Sequence, residues 1–135
     1  MIYVSLINVH GVAETMKVEK RNGVTILSTD FRLDAVNAPK LKNLVMELAR
    51  ESGLKLVIDM EKTLHIDSSG CGGLMTLLIV LRANQGDMKI ARAAPQPLNI
   101  FKLMELNRLL EIHDRLESAV ESFVNLKTVE MPAIQ

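Results

Sequence analysis

The spacing of apolar residues divides this chain into segments of two kinds. Residues 2–8, 14–20 and 23–29 carry the β-branched and apolar content of strands, and the last two flank Asn22-Gly23. That dipeptide suits a tight hairpin, because both central positions of such a turn need positive φ. From Asn37 the period changes. Leu41, Leu44, Val45 and Leu48 recur at i, i+3, i+4 and i+7, which gives a helix one apolar face. Lys40, Lys42, Asn43, Glu47 and Arg50 occupy the other face, Pro39 suits the first turn, and Gly53 supplies a stop.

The run Leu54–Met60 is short and strongly apolar, as in a buried strand. A second helix follows from about Ser69 to Asn84, with Leu74, Leu77, Leu78 and Leu81 among its apolar positions and Gly86 beyond its end. Met88–Arg92 makes another strand, and Pro95 and Pro97 open a helix through Phe101 and Met104. Leu110–His113 is a last short strand before a helix over Leu116–Val124. From Val24 onward the order is strand then helix throughout. Such alternation predicts a single α/β domain, a mixed and mostly parallel sheet with helices packed on it and right-handed crossovers.

At 135 residues the chain fits one domain able to bury about two-thirds of its unfolded surface. Residues 1–126 are expected to form it, with 1–12 as an extra N-terminal strand and 127–135 as a flexible tail. Whether that first strand pairs within the chain or with a second copy is open, so a homodimer stands beside a monomer. The apolar content, 48%, comes from aliphatic residues and Met, with no Trp, one Tyr and three Phe. Sixteen Lys and Arg balance sixteen Asp and Glu. Neither stacking aromatics nor a basic field points to nucleic acid. The longest apolar run, around Leu74–Leu81, is far short of the ~20 residues that span a bilayer. One cysteine, Cys71, can form no internal disulfide. Together these features favour a cytoplasmic protein that does not insert into membranes.

Candidate chemistry gathers between the Leu54–Met60 strand and the second helix, where strand ends meet helix starts. Asp67 is a good N-cap, and Ser68 and Ser69 follow it at the positive end of the helix dipole. Gly70, Gly72 and Gly73 remove side-chain bulk from the first turn, so another surface could approach the backbone. A phosphate on a serine here would meet unpaired N–H groups but would also face the Asp67 charge. An ordinary cap is the plainer account of these residues, and a phosphorylation switch is the sharper one.

The run LVIDMEKTLHIDSSGCGGLMTLLIVLRANQGDMKIARA (56–93) resembles the central signature of the STAS domain family of sulfate transporters and anti-sigma factor antagonists, with residues 54–92 matching in order and spacing. Flanking similarity in FRLDAVNAPKLK and PLNIFKLMELNRLLEIHDRLESAVESF extends the likeness to about 110 residues. The resemblance implies a non-enzymatic anti-sigma factor antagonist without cofactor or metal. It would bind an anti-sigma factor that is also a serine kinase, be phosphorylated on Ser68 (with Ser69 as the fallback), and be reset by a serine phosphatase. Asp67, Ser68, Ser69, Gly70 and Asp34 would form the partner-binding surface. Where the family often has a glycine before the Leu-Asp pair, this chain has Phe31-Arg32 before Leu33-Asp34, and Cys71 replaces a usual aliphatic residue.

Two other readings share the pattern. One is a scaffold or transport-associated STAS module whose serine is never phosphorylated. The other is a receiver-like domain or small enzyme using Asp59, but a receiver needs an acidic pair after its first strand, and Asp30 has no acidic neighbour. His65, two residues before Asp67, lacks a nucleophile to serve as base, and a loop role satisfied by backbone fits it better. His10 and His113 are isolated, and no spacing among the histidines suggests a metal. Cys71 reads as an inert buried thiol rather than a redox sensor. The eight Met read as core fillers, and no glycine-lysine phosphate loop is present.

Overall fold

Asn22 (φ 53°) and Gly23 (φ 79°) both take the left-handed backbone, and between them they close a hairpin. The computed structural model of the protein describes residues 2–7 and 13–124. The strands joined at that hairpin are β2 (Ala13–Arg21) and β3 (Val24–Thr29), and β1 (Ile2–Ile7) pairs antiparallel with β2 of the same chain. Beyond β3 the sheet continues in parallel through β4 (Lys55–Asp59), β5 (Asp87–Ala91) and β6 (Glu111–His113). The strand order is sequential, β1 to β6. A receiver-type doubly wound sheet would instead place its first strand inside the order. Residues 8–12 and the tail 127–135 lie outside the described residues, so the tail expectation lies there too.

Helices α1 (Ala38–Leu48), α2 (Ser68–Ala83), α3 (Pro95–Leu103) and α4 (Leu116–Val124) fill the connections and close the described chain. The period-2 alternation of the central strands sends side chains to two faces. Leu27, Leu56, Ile58, Met88 and Ile90 pack with Leu41 and Val45 of α1, Leu74, Leu77, Leu78 and Leu81 of α2, and Phe101 of α3. Val24, Ile26, Val57 and Ala91 pack on the other face with Leu116, Ala119 and Val120 of α4. Parallel strands buried on both faces account for the unbroken apolar run in β4.

One boundary differs from the sequence pattern. Helix α1 ends at Leu48, and Gly53 (φ 83°) instead turns the chain into β4, its N–H donating to the Asn84 carbonyl at 2.9 Å. The intervening Arg50, Glu51 and Ser52 are exposed and offer the core nothing to hold a further turn.

Candidate partner-binding site

The connection from β4 to α2 ends on Asp67, whose extended backbone (φ −115°, ψ −174°) is that of an N-cap. Its Oδ1 accepts the Gly70 N–H at 2.9 Å and its carbonyl accepts the Cys71 N–H at 3.0 Å. Ser68 and Ser69 are the first two helical residues, and both are exposed. Helix geometry leaves the N–H groups of such positions without intrahelical partners.

A second loop, between β3 and α1, is joined to this one by a single parallel bridge, Leu33 with Ile66. The Leu33 N–H donates to the His65 carbonyl at 3.0 Å, and the Asp67 N–H donates to the Leu33 carbonyl at 3.3 Å. Gly70 is buried directly beneath. A Cβ there would overlap the Leu33 carbonyl oxygen and come within 2.7 Å of Ile66 Cγ1. The close approach at Gly70 is thus an internal one, between α2 and the β3–α1 loop. At Gly72 a Cβ would meet nothing within 4 Å, and that glycine lies open on the surface.

Asp34 organises the second loop. Its Oδ1 accepts the N–H groups of Val36 (3.0 Å) and Asn37 (2.9 Å), and its carbonyl accepts from Ala38 at 2.8 Å. This Asx-type turn starts α1 and lifts Val36 into solvent, 61% exposed. Leu64, in the first loop, is 70% exposed. Between α1 and α2 runs a groove of about 420 Å³, lined by Ala35, Ala38, Pro39, Ser69, Gly73 and Thr76. The exposed Val36 and Leu64 lie in the two loops that the Leu33–Ile66 bridge joins.

Gln96, in the first turn of α3, belongs to this site although the sequence gives no sign of it. Its Oε1 accepts the Ile66 N–H at 2.9 Å and its Nε2 donates to the Ile66 carbonyl at 3.0 Å. A side-chain amide mimics a neighbouring strand here and fixes the residue just before the N-cap. Such a partner thirty positions away has no spacing signature.

Cys71 is fully buried. Burial, and secondarily the Asp67 carboxylate, push its thiol pKa above the ordinary value, so it packs as a small apolar group. Phe31, ahead of the Leu33-Asp34 pair, is also buried and joins the main core. His65 contributes its carbonyl to the bridge. Asp59 is ion-paired: Arg92 grips both its oxygens, Nε to Oδ1 at 3.1 Å and a terminal nitrogen to Oδ2 at 2.6 Å. Hydrogen bonding to Asp59 pushes the Arg92 pKa further up, against its partial burial. His113 pairs with Glu111 at 2.8 Å, and His10 lies outside the described residues. Among the described residues no group of His, Cys, Asp or Glu is arranged to hold a metal, and no helix is long and apolar enough to cross a membrane.

A sequential mixed sheet with a capped, serine-bearing α2 start defines a class. The chain belongs to the STAS domain family, whose model matches residues 15–119. Among relatives, it is 26% identical over 80 residues to the anti-sigma-B factor antagonist of Listeria monocytogenes, covering 59% of this chain and 70% of that one. An anti-sigma factor antagonist from Mycobacterium paratuberculosis superposes with a TM-score of 0.73 at 24% identity, covering 87% of this chain and 97% of the other. The antagonist SpoIIAA in its unphosphorylated form superposes at 0.69 with 15% identity, covering 82% and 97%.

Proposed function

We propose that this protein is a non-enzymatic anti-sigma factor antagonist, acting in the cytoplasm, whose α2 start binds an anti-sigma factor serine kinase. Phosphorylation of Ser68 breaks that complex, and a serine phosphatase restores it. The observation that carries the reading is the exposed Ser68 directly after a capping Asp67, at the helix start whose loop is bridged to the β3–α1 loop. The relatives called anti-sigma factor antagonists support the choice of partner.

The physics of the switch is local. A phosphate on Ser68 meets the unpaired N–H groups and positive end of α2, an interaction of about 0.3–1 kcal/mol at an exposed site. The adjacent Asp67 carboxylate opposes it, although Oδ1 is committed to Gly70. The fold therefore tolerates the phosphate. A partner packed on Ser68 would have to desolvate a group of nearly two negative charges, which costs far more than the bare hydroxyl. Asp34 and Gly70 serve this surface from within, one by shaping the Val36 loop and the other by letting the two loops meet.

The test is incubation with the cognate kinase and ATP, followed by mapping of phosphate by mass spectrometry. Phosphate on Ser68, with Ser68→Asp folded but unable to bind the kinase, supports the proposal. An active kinase that modifies neither Ser68 nor Ser69 overturns it. So does full regulatory function in a Ser68→Ala/Ser69→Ala double variant, which would favour a scaffold role instead.

A further inference from the structure

On the sheet face away from α1, α2 and α3, helix α4 packs over β4, β5 and β6. The same helix covers Val24 and Ile26 of β3, and the depression lies further along that face, at Ser28 and Thr29 near the C-terminal end of the strand. There the register sets Lys17 beside Ser28 and Ser28 beside Asp59. These residues line a depression of about 370 Å³ together with Thr15, Asp30 and Lys62. Its size falls at the small end of the roughly 300–1,000 Å³ typical of ligand pockets.

The charges in this depression are unequally committed. Arg92 also lines it and directs three of its five N–H donors internally, to both oxygens of Asp59 and to Glu61 Oε2 at 2.9 Å. Asp30 accepts the Thr15 N–H at 2.7 Å through Oδ1, which leaves Oδ2 to accept from a ligand. The ammonium groups of Lys17 and Lys62 have no ion-pair partner among the described residues. Ser28 Oγ lies 3.5 Å from Asp59 Oδ2, a long contact that a better partner would replace.

We propose that this depression binds a small phosphomonoester of a polyol. The phosphate lies between the Lys17 and Lys62 ammonium groups, and a ligand hydroxyl donates to Asp30 while another meets Ser28. The Arg92 guanidinium is neutralised by Asp59 and Glu61, which leaves the two lysines as the cations of this depression without an ion-pair partner among the described residues. Two unpaired point charges suit a tetrahedral phosphate. The site is separate from the α2 start and stands or falls independently of the phosphorylation switch.

Titration of the full chain with glycerol 3-phosphate, followed by amide NMR shifts, tests this. Saturable shifts centred on Lys17, Ser28 and Lys62 are expected. Lys17→Ala/Lys62→Ala should weaken binding at least about tenfold, the loss of a charge-assisted contact, while Lys102→Ala on α3 changes nothing. Both lysines lack internal ion-pair partners, so the double variant should keep the unfolding midpoint of the parent. Absent or unsaturable shifts, or unchanged affinity in the folded double variant, overturn the proposal. Inorganic phosphate binding as tightly as glycerol 3-phosphate overturns the polyol specificity.

Discussion

Adding one methyl group at Gly70 should separate an internal role for this glycine from a role in bare surface access. In Gly70→Ala the new Cβ overlaps the Leu33 carbonyl and comes to 2.7 Å from Ile66 Cγ1 and 2.9 Å from the Leu33 carbonyl carbon. Two of these three atoms are backbone, so no rotamer change relieves the overlap. The β3–α1 loop must move away from α2. That move sacrifices the two hydrogen bonds of the Leu33–Ile66 bridge, roughly 1 kcal/mol each. Residual overpacking adds about 1–3 kcal/mol, and the better helix propensity of Ala returns at most about 1 kcal/mol. The net is a destabilisation of about 2–5 kcal/mol. Gly72→Ala, two residues on, meets nothing within 4 Å and should be neutral or stabilising by up to about 1 kcal/mol. Urea unfolding of both variants, compared by midpoint at constant m-value, reads the difference directly. Equal stability of Gly70→Ala and the parent would refute the argument that this glycine exists to let two loops touch.

Other expectations follow from single contacts. Arg92→Ala leaves Asp59, 5% exposed, without its cation, and should cost about 2–3 kcal/mol; adding Asp59→Asn should recover part of that loss in a double-mutant cycle. Gln96→Ala orphans the Ile66 N–H and carbonyl, so the Ile66 amide should exchange with solvent faster by the equivalent of about 1–3 kcal/mol of local stability. For Glu111, burial pushes the carboxyl pKa up, but hydrogen bonds from His113 and Lys89 and their charges bring it net below the ordinary 4.5. A depressed folded pKa means its contribution is complete above the unfolded value and is lost as pH falls below about 4.5 through the folded one. Acid unfolding should therefore be less steep in Glu111→Gln. Cys71 should resist iodoacetamide in the native protein at neutral pH and react on unfolding, because burial raises its pKa and blocks access.

Local periodicity carries far enough to lay out this fold. The i, i+3, i+4, i+7 spacing of Leu41 to Leu48, the Asn22-Gly23 hairpin and the apolar run of β4 each state a backbone preference that nearby residues alone satisfy. The same holds for Asp67, because an N-cap closes a hydrogen bond only three residues away. The strand–helix order then predicts the mostly parallel sheet. What the chain order leaves unstated is which distant groups meet. Gly70 reads in sequence as an opening for a partner, whereas the fold fills that space with the carbonyl of Leu33. Gln96 reads as an ordinary polar residue between two prolines until α3 brings it against Ile66. Asp59 reads as a strand-end acid until the left-handed Arg92 (φ 54°) turns back to grip it. Secondary structure is fixed by interactions within a few residues, and the sequence determined it. The site's inner supports are contacts across about thirty residues, and only the packed tertiary structure could choose them.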